Sequence, residues 1–195
     1  MLVCTGKYHA RTKLEAINKI RSIKLTNTIK AILFLSIFSI ISGCSSHVAL
    51  SDNSKGYQYK GERYGKVVIS YAEEISQDSS KMVRLDQMNL KNTIVRFLRS
   101  EKLYDEKSND TVRIEIQKLH VRNAFNAIMF GFMSGSDNIG GVVVLEKSNK
   151  DLADFNVSAS YALGGFAGGQ NETRLGWLSE KFAELTSKTI IGKPE

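Results

Sequence analysis

Side chains with chemistry to offer are few in this sequence, and their spacing excludes most reactions. His47 and His120 are the only histidines beyond residue 44, and neither has a second histidine or a cysteine at metal-ligand spacing. His120 reads as a strand residue on a sheet surface. A serine hydrolase needs Gly-x-Ser-x-Gly at a strand-to-helix turn, whereas Gly131-Phe132-Met133-Ser134-Gly135 has the wrong spacing and makes Ser134 a loop serine. The glycines between Gly164 and Gly169 precede a helix, where backbone N–H groups can hold phosphate. They match neither a dinucleotide fingerprint nor a P-loop, and Glu172 stands where the anion would go. Asn171-Glu172-Thr173 is a chance sequon. These residues predict no catalytic, metal or cofactor site, and the expectation is a protein that is not an enzyme.

Cys44 has a clearer meaning. A basic stretch ending at Lys30 is followed by an apolar run over residues 31–42, too short for the roughly 20 residues of a membrane-spanning helix but of signal-peptide length. It closes on Ile41-Ser42-Gly43-Cys44, which resembles the lipobox of bacterial lipoproteins, an aliphatic residue and two small ones before a cysteine that receives lipid. The resemblance implies cleavage before Cys44 and attachment to a membrane through lipid there. Ser45 occupies the place where enteric bacteria use Asp as an inner-membrane retention signal, so it implies the outer membrane, with the domain facing the periplasm. The 30 residues before the apolar run make a longer extension than signal peptides usually carry.

Charge and cysteine usage agree with that division. The overall charge of +7 suggests nucleic acid until it is split at Cys44. Seven basic residues precede it (Lys7, Arg11, Lys13, Lys19, Arg21, Lys24, Lys30) against Glu15, a net of +6, and 20 basic and 19 acidic residues remain. A basic balance confined to a discarded leader says nothing about the folded part, and nucleic-acid binding loses its support. Cys4 and Cys44 are the only cysteines. Without Cys4 no internal disulfide can form, and a lone thiol in an oxidising compartment calls for modification.

Three regions are expected: residues 1–43 as signal peptide with its extension, 44–60 as lipidated cysteine and flexible tether, and 61–195 as one domain. Residues 45–56 are polar and small, without helix or strand periodicity. Beyond them, residues 64–71 are rich in β-branched and aromatic types and predict a strand. Val83, Leu90, Ile94, Phe97 and Leu98 share one side of a helical wheel. Val112, Ile114 and Ile116 alternate with Arg113, Glu115 and Gln117, and a break of phase at Lys118 predicts a bulge. Residues 139–147 give a third strand. A turn at Ser148-Asn149-Lys150-Asp151 leads into Ala153, Phe155, Val157, Ala159 and Tyr161, alternating with polar residues. Leu175, Leu178, Phe182 and Leu185 stripe a final helix over about residues 172–190. The order is β-α-β-β-β-α, a two-layer α+β fold with two helices on one face of a small, mainly antiparallel sheet. Leu90, Ile94, Phe97, Phe155, Val157, Leu178, Phe182 and Leu185 should share its core.

From about Tyr64 onward this layout resembles a family of uncharacterised bacterial envelope lipoproteins, known only as a domain of unknown function. The features that carry it are the first strand and helix, Arg113-Ile114-Glu115-Ile116, and the hairpin of Val142-Val143-Val144-Leu145 with Phe155-Asn156-Val157-Ser158. The Gly-Gly-x-x-Gly-Gly loop and the last helix complete it. The resemblance implies an address and a fold, without an activity.

One segment stands apart. Residues 124–133 hold Phe125, Ile128, Met129, Phe130, Phe132 and Met133, the most apolar stretch beyond Cys44. Its apolarity favours strand ends and a loop folded onto the core; the sharper alternative is an exposed flap that touches a lipid surface, an apolar ligand or a protein. Two functions stay open: a membrane-anchored, non-enzymatic envelope module that binds an envelope protein or maintains the envelope, and a periplasmic carrier of lipid or another apolar ligand. A filled core with an exposed Phe/Met patch points to the module, and a continuous apolar cavity points to the carrier.

Overall fold

The computed structural model describes residues 46–51, 54–77, 85–130, 135–162 and 171–193. Cys44 and the expected signal peptide lie outside them. Among the described residues the elements are β1 (Ser46–Leu50), β2 (Lys66–Tyr71), α1 (Glu73–Gln77), α2 (Gln87–Ser100), β3 (Thr111–His120), α3 (Ala124–Phe130), β4 (Asp137–Lys147), β5 (Lys150–Tyr161) and α4 (Asn171–Ile190). The strands form one open sheet in the order β1-β5-β4-β3-β2. Only β2 and β3 run parallel, because the helical crossover between them returns the chain to the end where it started. The α+β two-layer fold read from the sequence is the fold observed.

Period-two patterning sets the faces. Val67 and Ile69 of β2, Val112, Ile114 and Ile116 of β3, Ile139, Val143 and Leu145 of β4, and Phe155, Val157 and Ala159 of β5 are all buried in one cluster with residues of α2 and α4. α4 packs on β4, β5 and α2, while α2 packs on β2. Of the eight expected core residues, seven are buried and Phe97 is half-buried against the cluster. The long stripe of α4 also carries hydroxyls, and these are satisfied within the helix. Ser179, Thr186 and Thr189 donate to the carbonyls of Leu175, Phe182 and Leu185 at 2.8, 2.8 and 2.6 Å, so burial strands none of these three hydroxyls.

Local chemistry fixes the boundaries. Asp86 caps α2, accepting from the N–H groups of Met88 and Asn89 at 2.9 and 3.2 Å. The helix ends with Leu103 N–H on the Leu98 carbonyl and Lys102 N–H on that of Arg99, with Lys102 at φ 59° in the left-handed position. The β4–β5 turn is tighter than expected: Ser148 and Asn149 both have positive φ, 52° and 63°, the two-residue geometry that matches strand twist. Lys150 and Asp151 already belong to β5. The bulge falls where Lys118 breaks phase, between Ile116 and Lys118. Opposite it a Cβ on Gly141 would stand 2.5 Å from the Glu115 carbonyl oxygen, so the site takes glycine.

The tether expectation requires correction. Ser46–Leu50 is an edge strand antiparallel to β5, pairing Ser46 with Ala159 and Leu50 with Phe155. Beyond it, the hydroxyls of Ser51 and Ser54 donate to Asp154 Oδ1 at 2.6 and 3.0 Å, and Asp154 N–H donates to Ser54 Oγ at 2.6 Å. The Tyr57 ring meets Phe155 edge-on at 5.6 Å. Polar, small residues carry no strand periodicity, but an open edge supplies backbone partners to any chain of suitable length.

Candidate functional site

The described part of the apolar segment singled out in the sequence, Ala124–Phe130, is a helix on the surface. α3 begins where Asn123 Oδ1 accepts the N–H of Phe125 at 2.8 Å, a short N-cap. Ala127 turns inward and is buried. Phe125, Ile128, Met129 and Phe130 are 64, 39, 63 and 55% exposed. Among the described residues eight large apolar side chains stand exposed, and four of them belong to α3. The expectation that this stretch folds onto the core is therefore corrected for these four residues. α2 and α4 already cover the core face of the sheet, so the segment meets no open core to join. Phe132, Met133 and Ser134 lie outside the described residues.

Seven residues do not make a stable helix by themselves, and what fixes this one is a buried ionic cluster at its neck. Arg122 follows β3 and Asp137 opens β4; they bracket the excursion that contains α3. Arg122 donates its backbone N–H and Nε to Asp137 Oδ1 at 2.7 and 3.2 Å, and Nη2 to Oδ2 at 3.1 Å. Its Nη1 donates to the Gly135 carbonyl at 2.8 Å. From α4, Arg174 Nη1 reaches both Asp137 oxygens at 2.9 Å, and Nη2 donates to the Arg122 carbonyl at 2.9 Å and to Asn171 Oδ1. Arg174 and Asp137 are fully buried and Arg122 is 4% exposed. Burial pulls the Asp137 carboxyl upward, but the Arg122 hydrogen bonds and the charges of Arg122 and Arg174 outweigh it and hold the carboxyl below its usual range. The cluster thus ties the ends of β3 and β4 to the first turn of α4.

Periodicity and motif spacing do not single out this cluster, although the sequence carries two signals for it. Asp137 is in phase with the buried Ile139, Val143 and Leu145 of β4, and Arg174 stands four residues before Leu178 on the apolar stripe of α4. A charge at a core position asks for a buried partner.

A second polar group lies around residues 57–64. Burial pushes the Tyr57 phenol up to about 12 and raises Tyr64 as well, so both stay protonated near neutrality and neither can act as a base there. Burial also works against ionisation of Glu62, but the N–H groups of Lys60 and Glu62 and the charge of Lys147 hold its carboxyl down. Lys60 N–H lies 2.7 Å from Glu62 Oε2. A cleft between Tyr57, Glu62, Lys147 and Leu152 and a second by Ala72, Glu73, Glu74 and Gln117 are lined mainly by polar surface, a third by Lys91, Val95, Arg99 and Tyr104 is mixed, and none of the three borders α3. Among the described residues no group of three His, Cys, Asp or Glu side chains could hold a metal ion, and no helix is long and apolar enough to cross a membrane. His47 and His120 are exposed strand residues and Glu172 is exposed in the first turn of α4. The loop from Gly164 to Gly169 lies outside the described residues.

No curated protein matches the sequence. Solved structures of similar shape include a PelC dodecamer from Paraburkholderia phytofirmans, 7% identical with a TM-score of 0.45, spanning 78% of this chain and 99% of that one. A minor lipoprotein from Acinetobacter baumannii is 10% identical with a TM-score of 0.37, spanning 67% of this chain and 90% of that one. Residues 45–165 match the family described as Domain of unknown function (DUF4410), and the chain belongs to that family.

Proposed function

We propose that the protein is a bacterial envelope lipoprotein, cleaved before Cys44 and held by lipid on that residue, that acts without catalysis as a contact module. With Ser45 after the cysteine, its place is the outer membrane, facing the periplasm. What supports the anchor is the order of basic stretch, apolar run, small residues and cysteine in residues 1–44. What supports a contact role is α3, whose Phe125, Ile128, Met129 and Phe130 side chains are exposed together. A carrier would need an apolar cleft beside these side chains, and none of the three clefts described above borders them.

The anchor is tested by labelling cells with radioactive palmitate and separating membranes from soluble protein. The wild-type chain is expected in the membrane fraction with label, and Cys44→Ala is expected unlabelled and released. Equal labelling of the two chains would refute the lipoprotein reading.

A further inference from the structure

We infer that α3 is a second membrane contact, with Phe125, Met129 and Phe130 seated in the headgroup region of the bilayer that holds the lipid anchor. The inference rests on the lipid-anchor reading of Cys44 and adds to it the surface that faces the bilayer.

Topology carries the argument. β1 starts at Ser46, which pairs with Ala159 near the end of β5. Tyr161, the last residue of β5, pairs with Asp137, and Asn138 pairs with His120, the last residue of β3. The start of β1, the end of β5, the start of β4 and the end of β3 therefore lie at one end of the sheet, and α3 leaves and rejoins the sheet there. Neighbouring strands are about 4.8 Å apart, so the neck of α3 stands about 10–14 Å across the sheet from Ser46. Cys44 precedes Ser46 by two residues, which span at most about 7 Å. A lipid on Cys44 thus holds this end of the domain, and no other, against the membrane.

The side chains presented at that end suit the place. Phe125, Ile128 and Met129 share the outward face of α3 with Ala127 opposite, toward the protein, and Phe130 is exposed at the edge of that face, beyond the exposed Asn126. Trp177, 41% exposed, meets the Tyr161 ring in a tilted contact, centroids 4.9 Å apart, at the same end of the sheet. Aromatic and flexible apolar side chains on a short surface helix are what the interface between headgroups and acyl chains accepts. The β4–β5 turn lies at the opposite end, and Leu152 beside it is nine residues of β5, about 30 Å, from Tyr161.

The test uses the full chain, purified from membranes and reconstituted into phosphatidylethanolamine/phosphatidylglycerol vesicles with brominated acyl chains. In a Trp177→Phe background, one chain carries Phe125→Trp and another Leu152→Trp, both at exposed positions; circular dichroism checks the fold and mass spectrometry the lipid on Cys44. The inference expects the tryptophan at 125 to lose at least half its fluorescence to shallow bromines and the one at 152 to lose under a tenth. Lipidated chains in which the tryptophan at 125 is no more quenched than the one at 152 would overturn the α3 contact and leave the anchor standing. So would a tryptophan at 125 that native membranes shield from acrylamide but brominated lipid does not quench, since a protein would then cover α3. A chain without lipid on Cys44 would overturn the anchor reading, and this inference with it.

Discussion

Asp137 decides more than any other single residue described. Two guanidinium groups converge on its carboxylate inside the protein, and their charge is compensated only while it is ionised. Replacing it with Asn leaves two buried cations facing a neutral amide, and Asp137→Asn should destabilise by about 3–5 kcal/mol in a denaturant melt. The pH dependence has a definite sign. A carboxyl held below its unfolded value binds its proton less readily in the native state, so its stabilisation is present above the unfolded pKa of about 4 and disappears as pH falls through the folded value. Wild-type stability should therefore drop below about pH 4, and Asp137→Asn should show a flatter profile over the same window; parallel profiles would show that Asp137 is not the group responsible. Such a residue is hard to read from sequence because the ionic partners, 15 and 37 positions away, come together only after three elements have packed. Parity along β4 marks Asp137 as inward-facing, but it does not say which cations meet it.

Elements were legible in proportion to their periodicity. The stripes of α2 and α4 and the alternation in β3, β4 and β5 reflect burial on one face, so they predicted the fold class and seven of the eight core residues named. Phe182, fully buried in α4, should lose about 3–5 kcal/mol on truncation to Ala, read from the midpoint of a urea melt. β1 and α3 were read differently from sequence for one shared reason: each is placed by its surroundings rather than by its own pattern. The open edge of β5 turns an apparent tether into a strand, and a neck closed by Arg122 and Asp137 holds an apolar stretch outside a core that is already covered. Apolarity alone cannot tell burial from display. The two alternatives for α3 separate in one measurement, because Phe125 and Phe130 are more than half exposed. Changing both to Ser should move stability by no more than about 0.5 kcal/mol, whereas a loss of several kcal/mol would mean that the side chains are buried.

At the scale of the whole molecule, what matters is how the anchor orients the domain. Only Ser45 separates Cys44 from the first residue of β1, so lipid on Cys44 gives the sheet little freedom to swing away from the membrane. A long flexible tether would let the domain search; a short one presents one end. The difference can be engineered by inserting 20 Gly/Ser residues between Ser45 and Ser46, a linker with a root-mean-square span of about 25 Å. Pairing of β1 with β5 lies wholly after the insertion, so the melting temperature should stay within about 2 °C of wild type, in line with the small entropic effect of lengthening a surface segment. Lipidation and membrane fractionation should also persist, because the residues before Cys44 are untouched. What should fall is the share of time that α3 spends at the bilayer, since its effective concentration there drops as the tether lengthens. Quenching of a tryptophan at 125 by brominated lipid should decrease at least twofold in the lengthened chain. If it is unchanged, α3 binds the interface strongly enough by itself that the closeness of the anchor to β1 contributes nothing to its placement.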